Sequence, residues 1–149
     1  MKRTTQHIGA AGELLVQYKL LKYGVDSAAM TTDSGIDLVA YSPKTSRAFT
    51  IQVKTAEAPR ASGGRGKAAM SWDLKASNKA ELVAITDLST DSVWLFTHSE
   101  FEQFAQQLSP KGILKLYMYV DESVKTKQKI AKKSQFEGYR LENRVVTFF

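Results

Sequence analysis

The sequence predicts an α/β fold in which a mixed sheet is flanked by helices within a single domain. At 149 residues the chain fits one ordinary domain and is long enough to bury a hydrophobic core. Apolar residues recur with a helical period near the start of the chain and again near residue 100. Between and after these stretches, shorter segments alternate or run apolar as strands do, so strands and helices are interleaved along the chain.

The first helix is predicted over residues 8–22, where apolar side chains recur every three or four positions. Gly24 follows this stretch and is a typical helix stop. The side chains predicted to form the apolar face of this helix are Ile8, Ala11, Leu14, Leu15, Tyr18 and Leu21.

A hairpin is predicted next, formed by residues 36–41 and 48–55 with a turn at 42–46. Both segments alternate between apolar and polar residues, which is typical of strands with two different faces. A short strand over residues 28–31 and a polar turn over 32–35 precede the hairpin.

The rest of the chain is predicted to add strands, one helix and a loop. Residues 57–68 are rich in Ala, Gly, Arg and Ser and predict a mobile loop. Residues 82–85 form a continuous apolar run, which is typical of a strand covered on both faces. A helix is predicted over residues 99–108, with Ser99 as its cap. Further strands are predicted over residues 69–73, 93–96 and 114–120.

The charge of the chain is unevenly distributed. Its net value is +6 with a pI near 9.5, and the basic excess lies in residues 54–79 and 110–149. Residues 80–109, by contrast, contain five acidic groups and no basic one. A nucleic-acid partner explains this distribution, because neutralising phosphates releases counterions. Charge alone does not exclude a soluble basic protein without such a partner, although it favours the nucleic-acid explanation.

The composition excludes several kinds of site. The chain has no cysteine, which excludes disulfides, thiolate metal sites and a cysteine nucleophile. His7 and His98 are isolated, and two histidines cannot form a zinc site without several carboxylates. No long apolar run follows Lys2 and Arg3, so we expect neither a signal peptide nor a membrane span, and we expect a cytoplasmic protein.

The residues best suited to metal binding and catalysis lie on the predicted hairpin. Gln52 and Lys54 are two positions apart on a strand and therefore project from the same face. Asp37 lies in an otherwise apolar strand, where a carboxylate is unfavourable unless it is paired or bound to a cation. Antiparallel pairing brings Asp37 near Gln52 and Lys54. The side-chain oxygen atoms of Asp37 and Gln52 are ligands of the kind that Mg²⁺ prefers. The nearby lysine is suited to orient or deprotonate a metal-bound water for attack on phosphorus.

Each of these residues taken alone has an ordinary explanation. Asp37 is then an acid near a turn or a sheet edge, and Gln52 and Lys54 are solvent-facing strand residues. Glu13 is then an acid in the first turn of its helix, where it is favourable beside the helix dipole. Their joint order and spacing favour a shared site over these separate explanations.

Three short segments resemble the core of PD-(D/E)XK nucleases. They are Gly9-Ala10-Ala11-Gly12-Glu13 at the opening of a helix, Gly35-Ile36-Asp37-Leu38 on a strand and Ile51-Gln52-Val53-Lys54-Thr55 on its neighbour. The resemblance extends over about residues 8–97 and is closest to archaeal Holliday-junction resolvases and small homing endonucleases of group I introns. It implies a restriction-endonuclease-like αβββαβ core, hydrolysis of DNA phosphodiesters and dependence on Mg²⁺, with Mn²⁺ as an alternative.

The resemblance implies a role for each residue at a motif position. Glu13 matches the helix carboxylate, Asp37 the main metal ligand and Lys54 the catalytic lysine. Gln52 departs from the pattern, because most members have an acid at this position, although some intron-encoded members carry Gln. Its neutral carbonyl still coordinates a metal, so Asp37, Gln52 and Glu13 are the expected metal ligands.

The sequence therefore predicts a metal-dependent DNA endonuclease spanning residues 1–149, with a basic C-terminal extension from about residue 121. Cutting both strands of a duplex or a junction requires two sites, so a homodimer or a higher homo-oligomer is expected. The alternative is a catalytically degenerate DNA-binding or regulatory protein on the same fold. Trp72 is a candidate for stacking on bases. The side chains expected to contact DNA phosphates are Arg60, Arg65, Lys67, Lys127, Lys129, Lys132 and Lys133.

Overall fold

Two sheets and three α-helices make up the protein, in a computed structural model that describes residues 1–62 and 66–149. The elements are α1 (Thr5–Leu21), β1 (Asp26–Ala29), β2 (Leu38–Tyr41), β3 (Ala48–Ala56), β4 (Arg60–Ala61), β5 (Ala68–Lys75), β6 (Leu82–Asp87), β7 (Ser92–Thr97), α2 (His98–Phe104), β8 (Gln107–Leu108), β9 (Ile113–Tyr119), a 3-10 helix (Lys133–Tyr139) and α3 (Leu141–Phe148).

The central sheet has the strand order β1-β2-β3-β6-β7. Its neighbouring strands run antiparallel except for β3 and β6, which are parallel. The second sheet has the order β4-β5-β9-β8 and is antiparallel throughout the described residues. The predicted α/β class with a central mixed sheet flanked by helices is confirmed.

Both faces of the central sheet are covered, and β6 shows how. Successive side chains of a strand point to opposite faces. Leu82 and Ala84 pack with residues of α1 and α3 on one face. Val83 and Ile85 pack on the other face with the second sheet, α2 and the 3-10 helix. All six residues of β6 are buried, so the prediction that residues 82–85 are covered on both faces is correct.

The described part of the connection from β3 to its parallel neighbour β6 contains strands, at the place where the αβββαβ order has a helix. It contains β4 and β5, so the mobile loop predicted over residues 57–68 is wrong at Arg60–Ala61 and at Ala68, and its residues 63–65 lie outside the described part of the chain. The reason lies in β5, where Met70, Trp72 and Leu74 are buried and the residues between them are exposed. This period of two favours a strand and excludes an amphipathic helix.

The buried face of α1 differs from the predicted one. Leu14, Tyr18 and Leu21 were expected to pack inward, but their exposed fractions are 65%, 59% and 57%. The residues buried along α1 are Gly12, Val16 and Leu20. These residues also recur at helical spacing, and the small Gly12 allows the helix to approach the sheet more closely than a bulkier face would.

The helix predicted over residues 99–108 is shorter and begins earlier. Its cap is Thr97, whose side-chain oxygen accepts a hydrogen bond from Glu100 N at 3.1 Å, so the prediction of Ser99 was wrong. The Glu100 carboxylate in turn accepts from Thr97 N at 2.8 Å, which completes a capping box. The helix ends at Phe104, because Gln107–Leu108 pairs with β9 as a strand.

The C-terminal residues contribute to the core. No helix was predicted near the end of the chain, yet α3 buries Leu141, Val145 and Phe148 against α1 and the central sheet. Their spacing of three and four is the helical signal, but a segment of eight residues is too short for that signal to stand out in the sequence. Among the helices that the structure describes, none has the length and apolar character needed to cross a membrane.

Candidate active site

The candidate site lies in a notch of the central sheet, where β2 separates from β3. The last register pair between these strands is Leu38↔Ile51, whereas β3 continues to Ala56. The amide of Val53 therefore meets an open sheet edge and donates to Asp37 Oδ2 at 2.8 Å. Asp37 N donates to Ile51 O at 2.9 Å, which holds the aspartate at the point of separation.

The structure brings the four predicted motif residues into one cleft of about 520 Å³. Glu13, Asp37, Gln52 and Lys54 all line it. Gln52 Nε2 donates to Asp37 Oδ2 at 2.7 Å, so the pairing expected from the hairpin register is present. The cleft is open to solvent and is also lined by Arg60 and by the beginning of β5.

Glu13 enters the cleft from α1 because this helix passes very close to β3. A Cβ atom built on Gly12 would lie 2.9 Å from both Cβ and Cγ2 of Thr55, and nearer still to its hydroxyl. Only glycine permits this approach. The glycine that precedes the acid in the motif therefore determines how close the Glu13 carboxylate comes to the strand.

Electrostatics in the cleft disfavour its carboxylates in their charged forms. Burial raises the pKa of Glu13, and the charges of Asp37 and Asp33 raise it further. Burial also raises the pKa of Asp37, with a contribution from Asp33, and this outweighs the opposing effects of the Val53 amide and the Lys54 ammonium. The negative charge that accumulates here is the kind that a bound cation relieves.

Asp33 was not among the predicted site residues. It lines the cleft and acts on both other carboxylates. Residues 32–35 were interpreted as a turn, and their polar composition gave no reason to separate Asp33 from that turn. Its position follows from the path of the chain between β1 and β2.

The donor set of the cleft suits a hard divalent cation with several water ligands. Within the described part of the chain, no group of three or more His, Cys, Asp or Glu side chains is close enough to hold a metal ion. Mg²⁺ is usually bound through one or two carboxylates and keeps several waters. Asp37 and Glu13 fit that pattern as the residues that would hold it, with the Gln52 amide beside them.

The raised carboxyl pKa values predict a pH-dependent penalty on the metal-free fold. The folded state binds these protons more tightly than the unfolded state does, so stability falls as pH rises from the ordinary carboxyl pKa to the raised value. Glu13→Gln is therefore expected to raise the Tm at pH 7, with the gain disappearing at a pH below the ordinary pKa of glutamate. Mg²⁺ is expected to raise the Tm of the parent more than that of the variant.

Thermal unfolding across pH, with and without Mg²⁺, checks this expectation. Glu102→Gln is the matched control, since Glu102 is exposed on α2 and does not line the cleft. An unchanged or lower Tm for Glu13→Gln at pH 7 would contradict the account of the charge in the cleft.

Several of the predicted DNA-contacting residues lie along one end of the second sheet. Arg60 lines the cleft with its side chain 81% exposed and is 3.7 Å from Glu57. Hydrogen bonds from Ser123 lower the pKa of Asp121, and the charges of Lys67 and Lys132 lower it further, so both lysines lie on the same side of the molecule as Asp121. Lys129 lines a shallow depression together with Lys132, and Lys127 is exposed in the same segment. Arg65 lies outside the described residues.

Lys133 and Trp72 are engaged in the interior. The Lys133 ammonium lies 3.7 Å from the carboxylate of the buried Asp87 and 5.7 Å from the centre of the Trp94 ring. This inward pairing separates Lys133 from the other lysines of its segment. Trp72 is 2% exposed and donates to Thr86 O at 3.0 Å, so the suggestion that it stacks on bases is wrong.

A second depression adjoins the cleft and adds residues that the sequence did not single out. It shares Asp33, Gln52 and Lys54 with the cleft and is also lined by Lys75, Asn78 and Lys79. The basic excess of residues 54–79 was the available signal for the two lysines. No sequence pattern indicated Asn78, because its place beside Gln52 depends on the turn between β5 and β6.

Comparison with known proteins identifies the fold. No protein-family model matches the chain, and no curated protein matches it. Among solved structures, it is similar to a bacterial homing endonuclease, I-Ssp6803I, with a TM-score of 0.65 and 17% sequence identity. The similarity covers 97% of this chain and 92% of that chain. At this level of identity the chain has the fold of that homing endonuclease.

Proposed function

We propose that the protein is a DNA endonuclease that depends on Mg²⁺, with Mn²⁺ as an alternative cation. The observation that carries the proposal is the notch between β2 and β3, where the carboxylates Asp37 and Glu13 share one cleft with the Lys54 ammonium. The structural neighbour is named as a homing endonuclease, which supports the same class of reaction. A charged cluster of this kind on an open sheet edge is also costly to keep without a ligand.

In this proposal the chain supplies binding, orientation and charge. Asp37 and Glu13 would hold the ion, with the Gln52 amide beside Asp37. When bound, the divalent ion neutralises charge on the phosphate oxygens and acidifies water. Lys54 Nζ orients the attacking water by hydrogen bonding and offsets the negative charge that develops at the scissile phosphate.

The DNA backbone is proposed to run from the cleft along the second sheet. Ala69 lines the cleft, and its register partner on β9 is Tyr119. The basic C-terminal extension begins just after Tyr119, so its lysines continue the surface that starts at Arg60. We name as the basic rim the exposed or partly exposed residues of this surface, which are Arg60, Lys67, Lys127, Lys129 and Lys132.

A nicking assay with supercoiled plasmid and with a four-way junction tests the proposal. Conversion of either substrate is expected with Mg²⁺ or Mn²⁺ and not with a chelator. Cleavage of the plasmid at defined positions would favour a homing-endonuclease-like activity, and preference for the junction would favour a resolvase-like one. No conversion of either substrate with either cation would contradict the proposed activity.

The basic rim predicts a specific change in salt dependence. The double substitution Lys127→Glu/Lys129→Glu is expected to weaken DNA binding and to reduce the log–log salt slope by about two, since each phosphate contact contributes about 0.9. Lys44→Glu/Lys111→Glu makes the same charge change at exposed lysines in the turns at 42–46 and 110–112, away from the cleft. Fluorescence anisotropy at several salt concentrations measures the salt slope of DNA binding for each double variant. Equal slopes would mean that the basic segment is only a solvated surface.

A catalytically degenerate DNA-binding or regulatory protein is the second candidate. It is favoured by Gln52, which stands where most proteins with the motif have an acid, and by the lack of a three-ligand cluster among the described residues. Salt-dependent DNA binding without cleavage under any divalent cation is the result that would select it.

We also propose a homodimer or a higher homo-oligomer. Hydrolysis of both strands of a duplex or a junction requires two copies of the cleft. Light scattering coupled to size exclusion, with and without DNA, measures the assembly directly. A monomer in both conditions that cuts both strands would contradict this part of the proposal.

A further inference from the structure

Asn78 occupies a position that makes its side-chain orientation unambiguous. Its Oδ1 accepts a hydrogen bond from Ala80 N at 2.9 Å, and its Nδ2 donates to Gly35 O at 2.8 Å. A backbone amide can only donate and a backbone carbonyl can only accept. These two contacts therefore fix which end of the Asn78 amide carries the nitrogen. Gly35 takes part from a backbone conformation with φ of +86°, which favours glycine.

The orientation of Asn78 determines that of Gln52. Asn78 Nδ2 also lies 3.4 Å from Gln52 Oε1, so Gln52 turns its oxygen toward Asn78. The opposite end of the amide, Nε2, then donates to Asp37 Oδ2 at 2.7 Å and to Val53 O at 3.3 Å. Each of these partners can only accept in its charged or carbonyl form. The whole chain of contacts has one consistent assignment.

We infer that Asn78 is a positioning residue that holds Gln52 as a hydrogen-bond donor to Asp37 and thereby opposes coordination of a metal ion by the Gln52 carbonyl. For Gln52 to become a ligand, its amide has to turn over, which would set Nε2 against Asn78 Nδ2, donor facing donor. The turn would also withdraw the donor from Asp37. This inference rests on the proposed metal site and specifies how one of its groups is controlled.

The first test observes the amide in the metal-free protein. The side-chain amide protons of Gln52, assigned by their loss in Gln52→Leu, are expected to exchange slowly and to be shifted from those of a solvated glutamine. In Asn78→Ala they are expected to move toward solvated values. Asn143→Ala is the matched control, since Asn143 Nδ2 donates to Glu137 O at 2.9 Å, far from Gln52 in the chain. Unchanged Gln52 resonances in Asn78→Ala would overturn the inference.

The second test measures Mn²⁺ affinity by calorimetry without DNA. Release of the Gln52 amide in Asn78→Ala is expected to tighten Mn²⁺ binding by about three- to tenfold, the equivalent of one net hydrogen bond. The same substitution in a Gln52→Leu background is expected to give no gain. A gain that persists in that background, or no gain in Asn78→Ala itself, would overturn the inference. Thermal unfolding of each variant confirms that the comparison is made between folded proteins.

Neither test uses cleavage, so the two proposals fail separately. A protein that shows the Asn78-dependent gain but cuts no DNA retains this inference and loses the proposed activity. A protein that cuts DNA and shows no gain retains the activity, and Asn78 is then only part of the turn before β6.

Discussion

Asp37→Asn is expected to reduce DNA cleavage by about three orders of magnitude or more, because several kcal/mol of transition-state stabilisation by a divalent ion is withdrawn. The substitution keeps the shape of the side chain. An asparagine oxygen in the place of Oδ2 can still accept from Val53 N and Gln52 Nε2, so the notch is expected to stay intact. DNA binding is expected to persist or tighten, since a negative group facing phosphate has been neutralised.

Three further variants test whether charge in the cleft accounts for the loss of cleavage in Asp37→Asn. Asp26→Asn makes the same change at an exposed residue of β1 and is expected to cut like the parent. Lys54→Ala is expected to lose cleavage but to bind Mn²⁺ nearly as well as the parent. Gln52→Glu restores the commoner acid, and unchanged metal affinity in that variant would mean that the side chain at position 52 does not reach the ion. Retained cleavage in Asp37→Asn would refute the assignment of the site.

Gly12→Ala is expected to destabilise the fold by about 1–3 kcal/mol, the usual effect of overpacking, and to lower cleavage at the same time. The added methyl group would collide with the Cβ of Thr55 as well as with its branches, so rotation of the threonine cannot make room. The helix has to move away from β3 and carries the adjacent Glu13 with it. Chemical denaturation and the nicking assay measure the two effects on the same preparation.

A matched substitution in the same helix controls for helix propensity. Gly9→Ala meets no atom within 4 Å, and it is expected to stabilise the protein by up to about 1 kcal/mol. Thr55→Ala in the Gly12→Ala background removes two of the three colliding atoms and is expected to restore part of the lost stability. Equal stability for Gly9→Ala and Gly12→Ala would contradict the close approach of α1 to β3.

The sequence by itself determined the hairpin and what it carries. Alternation in β2 and β3 is a local property, because successive side chains of any strand point to opposite faces. It was therefore sufficient to bring Asp37 together with Gln52, and the continuous apolar run of residues 82–85 was sufficient to predict that β6 is covered on both faces. The class of the fold followed from the order of these elements along the chain.

Only the tertiary structure decided which face of α1 is buried. Two sets of residues recur at helical spacing along this helix, and the predicted set contains the exposed Leu14, Tyr18 and Leu21. The choice depends on Gly12 and on what lies opposite it, Thr55, which is 43 positions later in the chain. Hydrophobic periodicity within a helix contains no information about such a partner.

The positions of the groups around Asp37 also depend on the tertiary structure. Asp33 belongs to the connection between β1 and β2, and Asn78 belongs to the connection between β5 and β6, which joins the two sheets. Even the notch requires β2 to end its pairing before β3 does, which neither strand specifies alone. Periodicity reports the direction of a side chain relative to its own element, whereas a site assembled from several elements depends on contacts between distant segments.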